Sequence, residues 1–133
     1  MAEKARTIKL LVWIGIVLFF GWFLIFSLAT KGILTALALP ETHGLFLRMY
    51  GILPLGWAVL FLFALKDVKK NLAIINSGII TGAFVIIAFL IYHFTVEITL
   101  GWFLWISIVV LFVFNLLLFI FKPKSQSKFC ESV

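Results

Sequence analysis

The chain has 133 residues, of which 65% are apolar and 12% are charged, about half the charged share of a soluble domain. A soluble fold of this length cannot bury so many apolar residues, so the composition excludes a soluble fold. We therefore expect the lipid bilayer to be the main partner of the chain. The net charge of +6 does not indicate nucleic acid, because the basic residues form short runs between long apolar stretches.

Four apolar stretches are long enough to cross a bilayer, which takes about 20 helical residues at a rise of about 1.5 Å each. The alternation typical of a membrane β-barrel is absent, so helices must satisfy the backbone inside lipid. We predict an all-α integral membrane four-helix bundle that forms a single transmembrane domain over residues 1–133. Its spans are expected at about residues 8–29, 45–65, 72–94 and 97–121, with a cytoplasmic tail over 122–133.

The first outer connector, residues 30–44, carries an apolar segment that is too short to cross the membrane and that ends at Pro40. We expect a short helix there, lying on the outer interface or folding back over the bundle. The second connector is short and charged, so the helices it joins must be antiparallel neighbours. Its Asp67 and Asn71 are residue types that cap helix ends.

The basic residues near the span ends predict the orientation of the bundle. Lys31 and Arg48 lie on one side of the membrane. The other nine lie on the opposite side, in the N-terminal segment, the second connector and the tail: Lys4, Arg6, Lys9, Lys66, Lys69, Lys70, Lys122, Lys124 and Lys128. We therefore expect both termini in the cytoplasm, in the plasma membrane of a bacterium or an archaeon.

Ionisable residues gather on the predicted outer side: Glu41, His43, Arg48, His93 and Glu97. An arginine about one turn inside a span requires a carboxylate partner, and Glu41 and Glu97 are available. Two interpretations remain open. One is an outward polar pocket in which Arg48 binds an anionic group. The other is a structural clasp, in which Glu97 complements the dipole of the fourth span and Thr95 caps it.

No cofactor, metal or catalytic residue is predicted. His43 and His93 lie at one interface rather than across the bundle, which does not suit axial haem ligation. With the two outer carboxylates they match no strong metal-binding spacing. The chain has no phosphate-binding glycine loop, no serine nucleophile elbow and no acidic residue within its first span. We therefore do not expect an enzyme.

A second group of residues suggests how the helices pack. Asn76 and Asn115 lie at similar predicted depths in antiparallel spans, so we expect them to face each other. Gly78 and Gly82 form a Gly-x-x-x-Gly pair that permits close helix approach, either inside the bundle or between two copies. Pro54 removes a hydrogen bond from the second span and predicts a kink.

Three short segments resemble a family: residues 47–51 (LRMYG), 64–67 (ALKD) after an apolar run, and 70–71 (KN) before the next span. The arrangement is similar to that of the BphX-like small membrane proteins, which are related in outline to the DoxX-like four-helix families. The resemblance covers roughly residues 10–121. Some members of those families sit beside catabolic or respiratory genes, which implies an accessory role. Arg48 and Gly51 are the positions it carries over, and no catalytic residues come with them.

These observations favour a non-enzymatic accessory or structural membrane subunit, with a membrane protein, a second copy of the chain or lipid as its partner. Two alternatives stay open. One is a small-molecule binder or transporter that uses the outward polar pocket around Arg48. The other is a redox or quinone-linked membrane subunit.

Overall fold

The computed structural model describes residues 2–39, 48–95 and 101–124. Within these ranges the chain is helical and contains no strand. Four helices are long and apolar enough to cross a membrane, which confirms that part of the prediction. They span Glu3–Leu28, Arg48–Lys66, Leu72–Thr95 and Trp102–Phe121.

Five α-helices make up the described chain: α1 Ala2–Phe23, α2 Lys31–Ala36, α3 Ile52–Lys66, α4 Leu72–Thr95 and α5 Trp102–Phe121. A π-helical segment, Leu24–Leu28, continues α1 to the end of the first span. The first helix begins well before residue 8, so its basic residues lie on the helix itself. Helix α5 begins at Trp102, later than the predicted residue 97, and the extended backbone of Gly101 precedes its first turn.

The four long helices form a ring. Helix α1 packs against α3 and α5, and α4 packs against the same two helices. The start of α1, the connector between α3 and α4, and the end of α5 therefore meet at one end of the bundle. We call it the basic end, because its described residues carry two acidic side chains, Glu3 and Asp67, and eight basic ones: Lys4, Arg6, Lys9, Lys66, Lys69, Lys70, Lys122 and Lys124. We call the other end the opposite end.

The buried core lies mostly in the half of the bundle next to the basic end. Phe61 of α3 is 1% exposed, and its ring contacts Phe19 of α1 and Phe114 of α5 at centroid distances of 5.6 and 6.2 Å. The residues packed around this centre come from all four long helices and the second connector: Ile8, Leu11, Val12, Ile16, Ala64, Val68, Ile75 and Leu118. In the other half, the described residues that are buried are Leu39, Gly51 and Ile108.

The connector at the basic end is held by its own polar side chains. The Asn71 side-chain amide donates to the carbonyl oxygens of Phe63 and Asp67, at 3.3 and 3.0 Å. A carboxylate oxygen of Asp67 accepts the backbone N–H of Lys70 at 3.2 Å. The Asn71 bond to the Phe63 carbonyl satisfies a group that the end of α3 leaves open, which confirms Asn71 as a cap. The Asp67 carboxylate instead closes the turn between α3 and α4.

The first connector forms α2 and then stops in a Schellman motif. The Ala38 N–H donates to the Thr35 carbonyl at 3.0 Å, and the Leu39 N–H donates to the Leu34 carbonyl at 3.1 Å. Ala38 closes the motif with a φ of 52°, in the left-handed region that usually takes glycine. Helix α2 therefore ends through its own backbone hydrogen bonds.

The connector also folds back onto the bundle, which was one of the two expected arrangements. Leu39 is buried, at 5% exposure. Ala38 lies so close to Gly101 that a β-carbon at Gly101 would collide with the Ala38 carbonyl oxygen. The segment after α2 is thus pressed against the start of α5. Pro40 lies outside the described residues.

The second span, Arg48–Lys66, contains Pro54, for which the sequence predicts a kink. Pro54 has no backbone N–H, so it cannot donate to the carbonyl of Tyr50 four residues earlier. Gly51 lies beside this missing bond and keeps helical backbone angles, with φ −63° and ψ −22°. The kink stays a prediction.

Candidate functional site

Arg48 begins the described part of the second span and lies against the end of the first. Its guanidinium donates from Nη1 to the Ser27 carbonyl oxygen at 2.6 Å and from Nη2 to the Ala29 carbonyl oxygen at 3.4 Å. In return, the Ser27 hydroxyl donates to the Arg48 carbonyl oxygen at 2.8 Å. The first two spans are therefore joined by hydrogen bonds in both directions.

The accepting carbonyls belong to the end of a helix. The last carbonyl groups of any helix have no partner within it, and they form the negative end of its dipole. Ala29 has an extended backbone, so the chain leaves the π-helical segment there. An arginine supplies several donors in a planar fork and suits this position well. Arg48 acts as a cap for the first span.

Gly51 lets the two spans approach closely beside this cap. A β-carbon at Gly51 would collide with the Ser27 hydroxyl and would lie 3.1 Å from the β-carbon of Phe26. Gly51 is buried in that contact. Both positions carried over by the family resemblance, Arg48 and Gly51, thus lie in one interface with the first span.

The carboxylate partners predicted for Arg48, Glu41 and Glu97, lie outside the described residues, and so does His43. The hydrogen bonds that the structure describes for Arg48 go to backbone carbonyls, so a carboxylate partner stays a prediction.

The prediction that Thr95 caps α5 is wrong. The Thr95 hydroxyl donates to the carbonyl of Ile91, in its own helix, at 2.7 Å. The N-cap position of α5 is occupied by Gly101, which has no side chain to accept a bond. A threonine at the end of a helix readily bonds the carbonyl four residues earlier, and this local bond replaces the longer-range one.

His93 lies at the opposite end of the bundle, as Arg48 does, but it belongs to α4 and contacts α5. Its ring packs edge-on against Trp105 of α5 and against Phe94, at centroid distances of 5.0 and 5.2 Å. Its buried Nδ1 has no hydrogen-bond partner among the residues that the structure describes. Within the same residues, no hydrogen bond or ion pair joins His93 to Arg48. The described hydrogen bonds and ion pairs therefore do not bring these two residues of the predicted pocket together.

The expectation that the chain binds no metal stays a prediction. In the described ranges, no three His, Cys, Asp or Glu side chains come close enough to share a metal ion. Three of the candidate ligands, Glu41, His43 and Glu97, lie outside those ranges.

Asn115 is the polar side chain buried deepest in the described bundle. Its amide donates to the Ile79 carbonyl of α4 at 2.8 Å, through the space that Gly82 leaves open. The prediction that it faces Asn76 is wrong, because Asn76 instead accepts from the Lys122 ammonium at 3.4 Å. Asn76 lies three residues nearer the start of α4 than Ile79, about 4.5 Å along the helix. Because of that offset, the Asn115 amide bonds the Ile79 carbonyl rather than the Asn76 side chain.

The two glycines of α4 face different helices. A β-carbon at Gly78 would lie 3.2 Å from the Phe61 ring of α3. A β-carbon at Gly82 would lie 2.9 Å from the amide of Asn115 in α5. Both positions are covered by the chain's own helices, which favours internal packing over self-association through this motif.

An open apolar groove runs along the outer surface of α1. It is lined by Trp13, Ile14, Val17 and Leu18. These side chains carry no charge, so the groove suits acyl chains and offers no group for chemistry.

Two residues important to this arrangement were not singled out from the sequence. Ser27 was visible as a polar residue at the end of an apolar span, which is a weak indication of a hydrogen bond between helices. Phe61 gave no indication, because it is one of 16 phenylalanines in the chain. No family model, curated protein or solved structure matches this chain. The resemblance to the BphX-like and DoxX-like proteins therefore stays a prediction.

Proposed function

We propose that this chain is a non-enzymatic membrane protein that acts as an accessory or structural subunit. The observation that carries the proposal is the use of Arg48, whose guanidinium donates to the carbonyls of Ser27 and Ala29. An arginine that binds a substrate directs its donors into a pocket, whereas this one bonds the end of a neighbouring helix. Asn115 is used in the same way, on the carbonyl of Ile79. These two polar side chains of the spans thus serve the chain's own assembly.

The proposal is tested by the thermal unfolding of Arg48→Ala in detergent. Hydrogen bonds from a charged group contribute about 1.5–3 kcal/mol, and exposure of Arg48 to solvent reduces that to about 1 kcal/mol. We expect Arg48→Ala to lower the free energy of unfolding by that amount. The free energy of unfolding of Arg48→Lys should lie between those of Arg48→Ala and the unmodified chain, because one ammonium cannot reproduce the planar fork of donors. Lys31→Ala, which removes an exposed cation from the same end, is the control and should change little.

The alternative function makes the reverse prediction. If Arg48→Ala is as stable as the unmodified chain, or more stable, the charge is not retained for folding. The outward-pocket interpretation then replaces the structural one, and a screen of anionic ligands against the unmodified chain and Arg48→Ala becomes the decisive measurement.

We also propose a location in the plasma membrane with both termini in the cytoplasm. Eight basic residues against two acidic ones at the basic end support it, because positive charge is enriched on the cytoplasmic side. Cys130 is the only cysteine in the sequence, so it serves as a thiol probe for the C-terminal segment. An impermeant maleimide should label it in inverted vesicles and leave it unlabelled in intact cells. Lys31→Cys combined with Cys130→Ser should give the opposite pattern. The reverse result for both would invert the proposed orientation.

A further inference from the structure

Lys122 differs from the other lysines of the basic end. It follows the last residue of α5, and its ammonium turns back to the side-chain oxygen of Asn76 in α4, at 3.4 Å. The same ammonium lies 4.8 Å from the ring centroid of Phe119. Lys69 and Lys70, by contrast, are exposed on the connector. A partly buried hydrogen bond thus holds the Lys122 charge at the rim of the bundle, rather than out in water.

Lys122 and Asn76 together have more hydrogen-bond donors than their described hydrogen bond uses. A lysine ammonium has three N–H donors, and the bond to Asn76 uses one. The side-chain amide of Asn76 adds an NH₂ group. In the described part of the chain, that bond between Lys122 and Asn76 is the one hydrogen bond found for either side chain. The pair therefore presents several donors to a ligand rich in acceptor oxygens.

The charge and shape around the pair restrict the ligand. The described basic end carries a large excess of positive charge, so the ligand is an anion. Phe119, whose ring lies under the Lys122 ammonium, is 58% exposed on the surface of a membrane-length helix. Leu116, about one turn further from the basic end, is 48% exposed. A charged site above an exposed apolar surface suits a molecule with an anionic head and an acyl chain.

We infer that Lys122 and Asn76 form a binding site for the phosphate of an anionic phospholipid, whose acyl chain lies along Phe119. The ammonium and the amide donate to phosphate oxygens, and the clustered charge of the basic end retains the anionic head. The site requires only that the bundle lies in a bilayer, so it does not depend on the accessory role proposed above.

The experiment uses native mass spectrometry of the purified full chain in a non-ionic detergent. Phosphatidylglycerol is titrated as the anionic probe, and phosphatidylcholine serves as the zwitterionic control. We expect Lys122→Gln to bind phosphatidylglycerol about fivefold more weakly, which corresponds to about 1 kcal/mol for one lysine at a membrane surface. Phosphatidylcholine binding should not change. Lys122→Arg keeps the charge and should bind like the unmodified chain.

Lys69→Gln is the matched control, because it removes the same charge from the same end without touching Asn76. If Lys69→Gln and Lys122→Gln weaken binding equally, diffuse charge retains the lipid and the proposed site is wrong. If Lys122→Gln does not fold, Asn76→Ala replaces it, and unchanged binding by Asn76→Ala overturns the proposal. Excess glycerol phosphate should not displace the lipid. Displacement would show that the site recognises free phosphate instead.

Discussion

The two halves of the bundle both consist of largely apolar helices but are held together differently. Next to the basic end, rings and aliphatic side chains from all four long helices meet around Phe61, and a buried amide from Asn115 bonds the backbone of α4. Towards the opposite end, the described contacts between helices include the Arg48 cap on the first span and the approach of Ala38 to Gly101. Two separate ring pairs, His93 with Trp105 and Phe26 with Phe103, also join helices there.

This difference shows why apolar content is a poor guide to packing in a membrane. Lipid tails are as apolar as leucine, so an apolar side chain gains little from turning inward. Close van der Waals contact and hydrogen bonds between helices provide the stability instead. The half next to the basic end relies mainly on van der Waals packing around Phe61. The described part of the other half combines separate ring contacts with the hydrogen bonds between Arg48 and the end of the first span.

The largest expected effect is at the centre of the packed half. Phe61→Ala removes a ring that is 1% exposed and touches three other helices, and we expect a loss of about 3 kcal/mol. The matched change is Phe26→Ala in the other half, where a half-buried ring meets Phe103 at 6.3 Å. That variant should lose about 1 kcal/mol. Chemical unfolding in mixed micelles measures both, and equal losses would remove the contrast between the halves.

A smaller effect is expected where α4 meets α5. Gly82→Ala places a β-carbon 2.9 Å from the Asn115 amide, so Asn115 must move and lose its bond to Ile79. We expect a loss of about 2 kcal/mol, which is typical of an overpacked contact.

The same measurement on Asn115→Ala and on the double variant tests the coupling. Both single changes remove the same bond, so the double variant should lose less than the sum of the two. Gly56→Ala is the control, because nothing lies within 4 Å of its β-carbon position. It should be neutral or up to about 1 kcal/mol more stable, since alanine favours helix. Strictly additive losses would mean that Gly82 and Asn115 act independently.

The smallest expected effect is at the opposite end. Ala38 adopts a left-handed conformation that costs a non-glycine residue about 1 kcal/mol. Ala38→Gly relieves that strain and keeps the Schellman hydrogen bonds, so we expect a gain of about 0.5–1 kcal/mol in thermal unfolding. Thr35→Gly, inside α2, is the control and should be destabilising. A destabilised Ala38→Gly would show that its β-carbon packing outweighs the strain.

Parts of this arrangement were predictable from the sequence, and others were not. Asn71 was predicted to cap a helix end because its bonds are local and lie within a few residues. Asn115 was predicted to be buried, but its partner was not the expected Asn76. A side-chain amide can bond any carbonyl within reach, and small offsets along a helix decide which one it meets.

The sequence alone determined that four helices are long and apolar enough to cross a membrane, and that the basic residues collect at one end. Helix length and charge are properties of consecutive residues, so they need no knowledge of neighbours. Only the tertiary structure decided that Arg48 bonds Ser27 and Ala29, that Gly82 makes room for Asn115, and that Lys122 turns back to Asn76. The physical reason is that a helix surface facing lipid and one facing another helix are equally apolar, so the pattern along the chain does not reveal which surfaces meet.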